Sequence, residues 1–354
     1  MEASTTPRCR LMVNRNRTRG MLAAAMAGAL ALLLGSCSAD KTENGPKIPV
    51  AEPGKVASFA LSDVSTEYDL NRASSITSGH VASDGKGNVF LADGFASPEI
   101  PILRMTSDGR ITQFAKVAAR SADSGFTVAP DGSLVTGGRD GLSRVRPGGA
   151  ATPLPSTHTF TRPEPIGVRP DGAVIVTDNY SVWSVKDGKA DEIFAFPAER
   201  GLSRGTVTAN GTVYATNGLV SDLHVLAPGR PPSAVTVHGS LPGGSTPLSD
   251  MAFEGMTPAG DGGLYARVLK DPQKGPADFV YLVHIDPSGS LTAMARGFGK
   301  AKSCSAGQQY PALDNPCQLP WFLARSGDQL LALGSVVDLE HVPPPALAIR
   351  ATYK

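Results

Sequence analysis

The chain has no hydrophobic run long enough to cross a bilayer: the longest, residues 21–34, covers 14 residues, whereas a spanning helix needs about 20. Its body carries no run of basic residues, so it lacks the electrostatic footprint with which proteins hold nucleic acid. The six histidines, His80, His158, His224, His238, His284 and His341, never stand in a His-x-His or His-x-x-x-His spacing. The local patterns that announce a zinc site are therefore missing. Only two tryptophans occur, Trp183 and Trp321, and both fall on predicted strands, where they read as filling between sheets. Cysteine is scarce enough, with four in 354 residues, for each one to be assigned singly.

What is present begins with an export signal. Arg8, Arg10, Arg15, Arg17 and Arg19 precede the small and aliphatic stretch 21–34, which has the length and flanks of a signal h-region. Translation from Met12 would leave that signal complete. Leu34-Gly-Ser-Cys37 follows directly and resembles the lipobox of bacterial lipoproteins, which implies cleavage after residue 36 and acylation of Cys37. Lipid there would hold the protein to a membrane surface, since each buried CH₂ contributes about 0.8 kcal/mol. The resemblance places the protein on the outer face of the bacterial cytoplasmic membrane or in the cell envelope. Without residues 1–36 the chain keeps 28 basic and 31 acidic residues, a net charge of −3.

Residues 37–54 are polar with scattered proline and glycine, and read as a flexible tether. The folded body is expected over 55–354. Cys9 lies in the signal and Cys37 is the lipid site, so Cys304 and Cys317 are left; their spacing suits a disulfide-stapled loop in an oxidising compartment.

The body is built on a recurring phrase. Val81-Ala-Ser-Asp-Gly-Lys-Gly-Asn-Val-Phe-Leu-Ala-Asp93 returns in altered form at 128–138, 168–178, 207–217, 256–267 and 323–334. In each, an apolar strand end meets an Asp-Gly or related turn and a second apolar run, which is a hairpin signal. A third and a fourth strand follow in most units, as in Ser181-Val-Trp-Ser-Val-Lys186 and Ala190-Asp-Glu-Ile-Phe-Ala-Phe196. Repetition of a four-stranded unit predicts an all-β fold, a six-bladed β-propeller of four-stranded blades. The last unit is one strand short, and Lys55-Val-Ala-Ser-Phe-Ala60 is unused. This N-terminal strand is expected to complete the last blade, which removes the exposed edges.

Residues 79–93, followed by Ile102-Leu-Arg-Met-Thr-Ser-Asp-Gly109, resemble the NHL repeat, and the later units resemble degenerate copies of it. That resemblance implies membership of a wide group of propellers that includes gluconolactonase-like and senescence-marker enzymes as well as extracellular binding modules. The turns inside each unit are short, whereas the links between second and third strands and between units are long, as at 93–100, 156–165, 239–247, 270–278, 304–317 and 336–345. In an up-and-down propeller the long links share one face, where function is expected. Asp93, Asp178, Asn179, Tyr180 and Asn217 end second strands on that face, and Glu254 opens an inner strand. Carboxylate and amide oxygens of this kind suit a hard divalent cation such as calcium. Gluconolactonase-type rings use a Glu near the start of an inner strand with Asn and Asp from other blades, and Phe253-Glu254-Gly255 resembles that strand. The same Asp and Asn side chains also suit caps on strand ends and turns. Gly201-Leu-Ser203-Arg-Gly205 matches G-x-S-x-G, but between β units rather than at a strand-to-helix elbow.

Three function classes follow. The first is a monomeric, non-catalytic binding module, lipid-anchored outside the cell, that presents its long-loop face to an envelope protein, peptide or glycan and needs no cofactor. The alternative is a metal-dependent hydrolase or lactonase of the gluconolactonase-like type, with Glu254 as a ligand. A lyase resembling the streptogramin-cleaving propellers is a third, with a histidine-based site that the sequence does not locate.

Overall fold

A computed structural model describes residues 48–60, 80–92, 98–197, 204–277, 279–298, 304–333 and 345–350. The signal 1–36, Cys37, Asp93 and Ser203 lie outside these. Among the described residues the strands form six sheets. Five are four-stranded antiparallel meanders in chain order, opening with Val81–Ser83, Gly125–Val128, Glu164–Val168, Arg204–Val207 and Met251–Pro258.

The hairpins form because the turn residues demand them. Side-chain oxygens of Asp131, Asp171, Asn210, Asp261 and Asp286 each accept the backbone N–H two residues on, the Asx geometry that competes with strand continuation. Gly132 and Gly172 then take φ of 80° and 85°, a region open to glycine at no steric cost. Register follows, with Val174 opposite Val185 and Val213 opposite Leu226.

Second strands are apolar on both faces because a blade on either side covers them; Val89–Ala92, Leu134–Gly138, Val174–Asp178 and Val213–Thr216 are buried along their whole lengths. Six apolar clusters result, one in each gap between neighbouring sheets. Phe90, Ile102, Phe126 and Leu134 join the first and second, and Phe59, Leu103, Ala324 and Leu331 join the last back to the first.

The sixth sheet departs from the expected four strands. Its order is Gln309–Pro311, Lys55–Ala60, Pro345–Arg350, Gln329–Leu333, Phe322–Ser326. The N-terminal strand pairs with the C-terminal one, Val56 opposite Ile349. The fifth strand comes from the segment expected to be only a loop: the Cys304–Cys317 disulfide closes it, and Tyr310 pairs with Val56 at the sheet edge. The packed chain also starts before Lys55. Ile48 and Ala51 are buried in the cluster between the last and first sheets, and the Ala51 N–H donates to Gln329 Oε1. The tether expected through residue 54 has therefore joined the core by Ile48.

Cys317 is fully buried beside Leu319 and Ala312, so the staple acts on both the unfolded chain and the packing. Serine at both Cys304 and Cys317 should lower stability by about 3 kcal/mol, the loop-closure value for a bridge of this span. Urea melts of the variant and of the reduced wild type should agree, with midpoints well below the oxidised wild type; coincidence of all three would refute a stabilising role.

Candidate active site in the central channel

The first strand of each four-stranded sheet and Phe322–Ser326 of the sixth lie innermost, and these six strands surround one cavity of about 700 Å³. Their N-terminal residues gather the chemistry at one end. Around that mouth stand His80, Phe126, Glu164, Arg204, Glu254, Trp321 and Phe322, so that every sheet contributes. They are linked in turn. A Cβ on Gly125 would lie 2.9 Å from His80 Nδ1 and 3.4 Å from Glu164 Cγ, Arg204 Nη1 donates to the Glu254 carbonyl at 2.7 Å, and the Arg267 guanidinium, ion-paired with the Glu254 carboxylate, lies 5.9 Å from the Trp321 ring centroid. The His80 and Phe322 rings, 6.1 Å apart, close the circuit.

Local sequence explains these placements. Glu254 is the extra residue of a β-bulge, between Phe253 opposite Val268 and Gly255 opposite Arg267, and such a residue leaves the regular alternation and re-aims its side chain. Arg267 interrupts an apolar strand, and its side chain is only 3 % exposed. Its Nε donates to the Leu319 carbonyl at 3.0 Å. Burial brings its pKa down to about 10, which leaves it charged at neutral pH.

Asp178 and Asn217 do not reach the cavity. Asp178 accepts the Thr161 and Arg162 N–H groups at 2.9 and 2.8 Å, and so holds the loop that delivers Arg162 and Glu164. Asn217 donates to Asp222 at 3.0 Å in the turn whose Gly218 carbonyl accepts the Phe253 N–H at 2.7 Å, steadying the strand that bears Glu254. Asn179 takes φ 54° in the hairpin turn, and Tyr180 packs against the Ile175 and Phe196 cluster. The strand-end carboxylates and amides thus act as caps that position the mouth. Trp321 does not fill a gap between sheets as expected; it is 48 % exposed at the mouth, whereas Trp183 stacks on His158 at 3.9 Å.

The Glu254 carboxylate faces the Arg267 guanidinium, which would repel a dication. Among the described residues, no group of three or more His, Cys, Asp and Glu side chains is arranged to hold a metal.

Two further electrostatic perturbations lie elsewhere on the ring. Both His80 and Glu164 keep some access to the channel, yet protein surrounds them on most sides. Burial, helped by Arg162 and opposed by Asp123, lowers the His80 pKa from 6.5 to about 4. Burial raises the Glu164 carboxyl above its usual 4.5, against the pull of Arg204 and Arg162. An imidazole held neutral beside a carboxyl that resists ionisation is the arrangement expected where acid and base roles are divided.

No protein-family model matches the chain, and no curated protein matches it. Solved structures do. Regucalcin, a calcium-binding protein from Agrobacterium tumefaciens, is similar over 85 % of this chain and 95 % of its own, with 15 % identity and a TM-score of 0.51. The chain has the fold of a β-propeller. A Bacteroides thetaiotaomicron protein of unknown function gives a TM-score of 0.55 at 14 % identity, over 84 % of this chain and 75 % of that one. A gluconolactonase from Xanthomonas campestris is similar over 86 % of this chain and 99 % of its own, at 14 % identity and a TM-score of 0.49.

His80 and Trp321 were visible in the sequence but carried no local signal; Glu164, Arg162 and Arg204 carried none at all. Arg267 carried one: an arginine inside the apolar run Leu264-Tyr-Ala-Arg-Val-Leu269 needs a buried partner.

Proposed function

We propose that this protein is a hydrolase of the lactonase type that takes a small substrate into the central channel, anchored in the bacterial envelope through a lipid on Cys37. The observation that carries the reading is the cavity of about 700 Å³ with an imidazole, a carboxyl and guanidinium groups converging at one mouth. A surface that only docks a protein or glycan does not require titratable groups shifted apart inside a channel. The likeness to regucalcin supports the propeller scaffold, and the enzyme reading rests on the groups in the channel. The anchor rests on residues 34–37 and on the preceding arginines and apolar run.

The test is a panel of small lactones and aryl esters followed by pH-stat titration, with Trp321 fluorescence reporting occupancy of the mouth. Ring opening well above the buffer rate is expected for at least one lactone, with quenching that Trp321→Phe removes and Trp183→Phe does not. Saturable quenching without turnover of any compound would return the ring to the class of binding modules.

A further inference from the structure

We propose that His80 and Glu164, which meet across Gly125, form the acid–base pair of the channel and open a lactone without a divalent cation. The inference rests on the hydrolase reading and names its reacting groups.

The two side chains come from the first and third sheets, and the sheet between them contributes a glycine. Gly125 has φ 130°, and a Cβ there would meet His80 Nδ1 at 2.9 Å, His80 Cε1 at 3.2 Å and Glu164 Cγ at 3.4 Å. Position 125 is therefore closed to other residues by backbone conformation and by space. With no side chain between them, the imidazole and the carboxyl both face the cavity they line. Arg162 and Arg204 act on Glu164, and Arg162 and Asp123 act on His80. Asp123 is itself ion-paired with Arg139 at 3.1 Å. Burial disfavours the charged form of Glu164, and Arg162, Arg204 and Asp123 set the field around the pair.

That field and the two protonation states define a reaction. Neutral His80 accepts a proton from water as the water oxygen bonds to the acyl carbon, and the carbonyl electrons move onto an oxyanion stabilised by Arg162 and Arg204. Collapse of this intermediate re-forms the carbonyl and breaks the ring C–O bond, while Glu164 gives its proton to the departing alkoxide. Protonated His80 then returns a proton to Glu164. One water is consumed, one hydroxy acid leaves, and nothing is oxidised or reduced. The substrate class is a lactone whose product is an anionic hydroxy acid, which suits the same guanidinium pair.

The experiment measures lactone hydrolysis by the whole protein with and without EDTA, for wild type, Glu164→Gln and His80→Gln, with thermal melts to confirm folding. EDTA should leave the wild-type rate unchanged, and each variant should lose about 10²–10⁴-fold in kcat with little change in KM, the range for loss of one general acid or base. The wild-type rate should also fall at high pH as Glu164 ionises. Activity abolished by EDTA and restored by calcium or manganese would overturn the pair while leaving the hydrolase reading intact, as would a folded variant that keeps its kcat. Absence of any lactone opening would overturn the hydrolase reading and the pair's role with it. A readout independent of turnover is the NMR titration of the His80 ring and the infrared band of protonated Glu164. An imidazole that titrates near its ordinary value, or a Glu164 ionised at neutral pH, overturns the proposal whatever the activity.

Discussion

Alanine in place of Arg267 should lower folding stability by about 3–5 kcal/mol, the usual cost of leaving one partner of a buried ion pair alone. The guanidinium is nearly inaccessible, pairs with Glu254 and donates to the Leu319 carbonyl. Its removal orphans both acceptors and opens a gap beside Trp321. Glu254→Gln should cost less, because the Glu254 side chain keeps 22 % exposure and the amide can still accept one bond. Replacing both, as Arg267→Met with Glu254→Leu, should recover much of the loss, since an apolar pair of similar volume is often as stable as a buried ion pair. Urea midpoints of wild type, Arg267→Met, Glu254→Leu and the double variant, which form a double-mutant cycle, provide the check. Additive single effects would mean that the two groups do not act as a pair.

Acid should destabilise the protein through His80. Its pKa is 6.5 when unfolded and about 4 when folded, so between these values the unfolded chain binds the proton and the native ring does not. Stability from this group is complete above about pH 6.5 and is lost as pH falls through that window, by up to about 3 kcal/mol. Glu164 acts with the opposite sign: its raised pKa makes the native state the better proton binder above 4.5, so its contribution declines as pH rises from there through the folded pKa. Unfolding free energies measured from pH 7 to 4 should fall more steeply for Glu164→Gln than for wild type, and less steeply for His80→Gln. Parallel curves for wild type and His80→Gln would show that His80 is not held neutral by the fold.

How far the sequence reached follows from the range of each interaction. Hairpins lie within a dozen residues, so the Asp-Gly turns and the buried second strands could be read directly, as could the pairing of the leftover strand at 55–60 with the last unit. The edge strand at Gln309–Pro311 could not be, because its partner Val56 lies at the far end of the chain and nothing in a three-residue stretch distinguishes a strand from a loop. Glu254 was singled out for its position on an inner strand, but its pairing with Arg267 depends on a bulge that the sequence does not announce. Asp178 and Asn217 spend their oxygens and amide on loop backbone and Asp222. The His80 and Glu164 encounter was invisible because it depends on the third partner being a glycine, and absence of a side chain leaves no mark in hydrophobic periodicity.

The pairing of Val56 with Ile349 also sets an order of events. A chain is synthesised from its N-terminus, so residues 55–60 wait without their partner strand until residues 345–350 have been made. Each earlier blade can form its own meander as it appears, but the first and last sheets cannot meet until the final strand arrives. Closure is thus the late, long-range step of folding, and its loop entropy is settled only then. Residues 345–350 thus work as a clasp: a protein truncated a few residues before Pro345 would leave the strand at 55–60 without the partner that joins it to Gln329–Leu333.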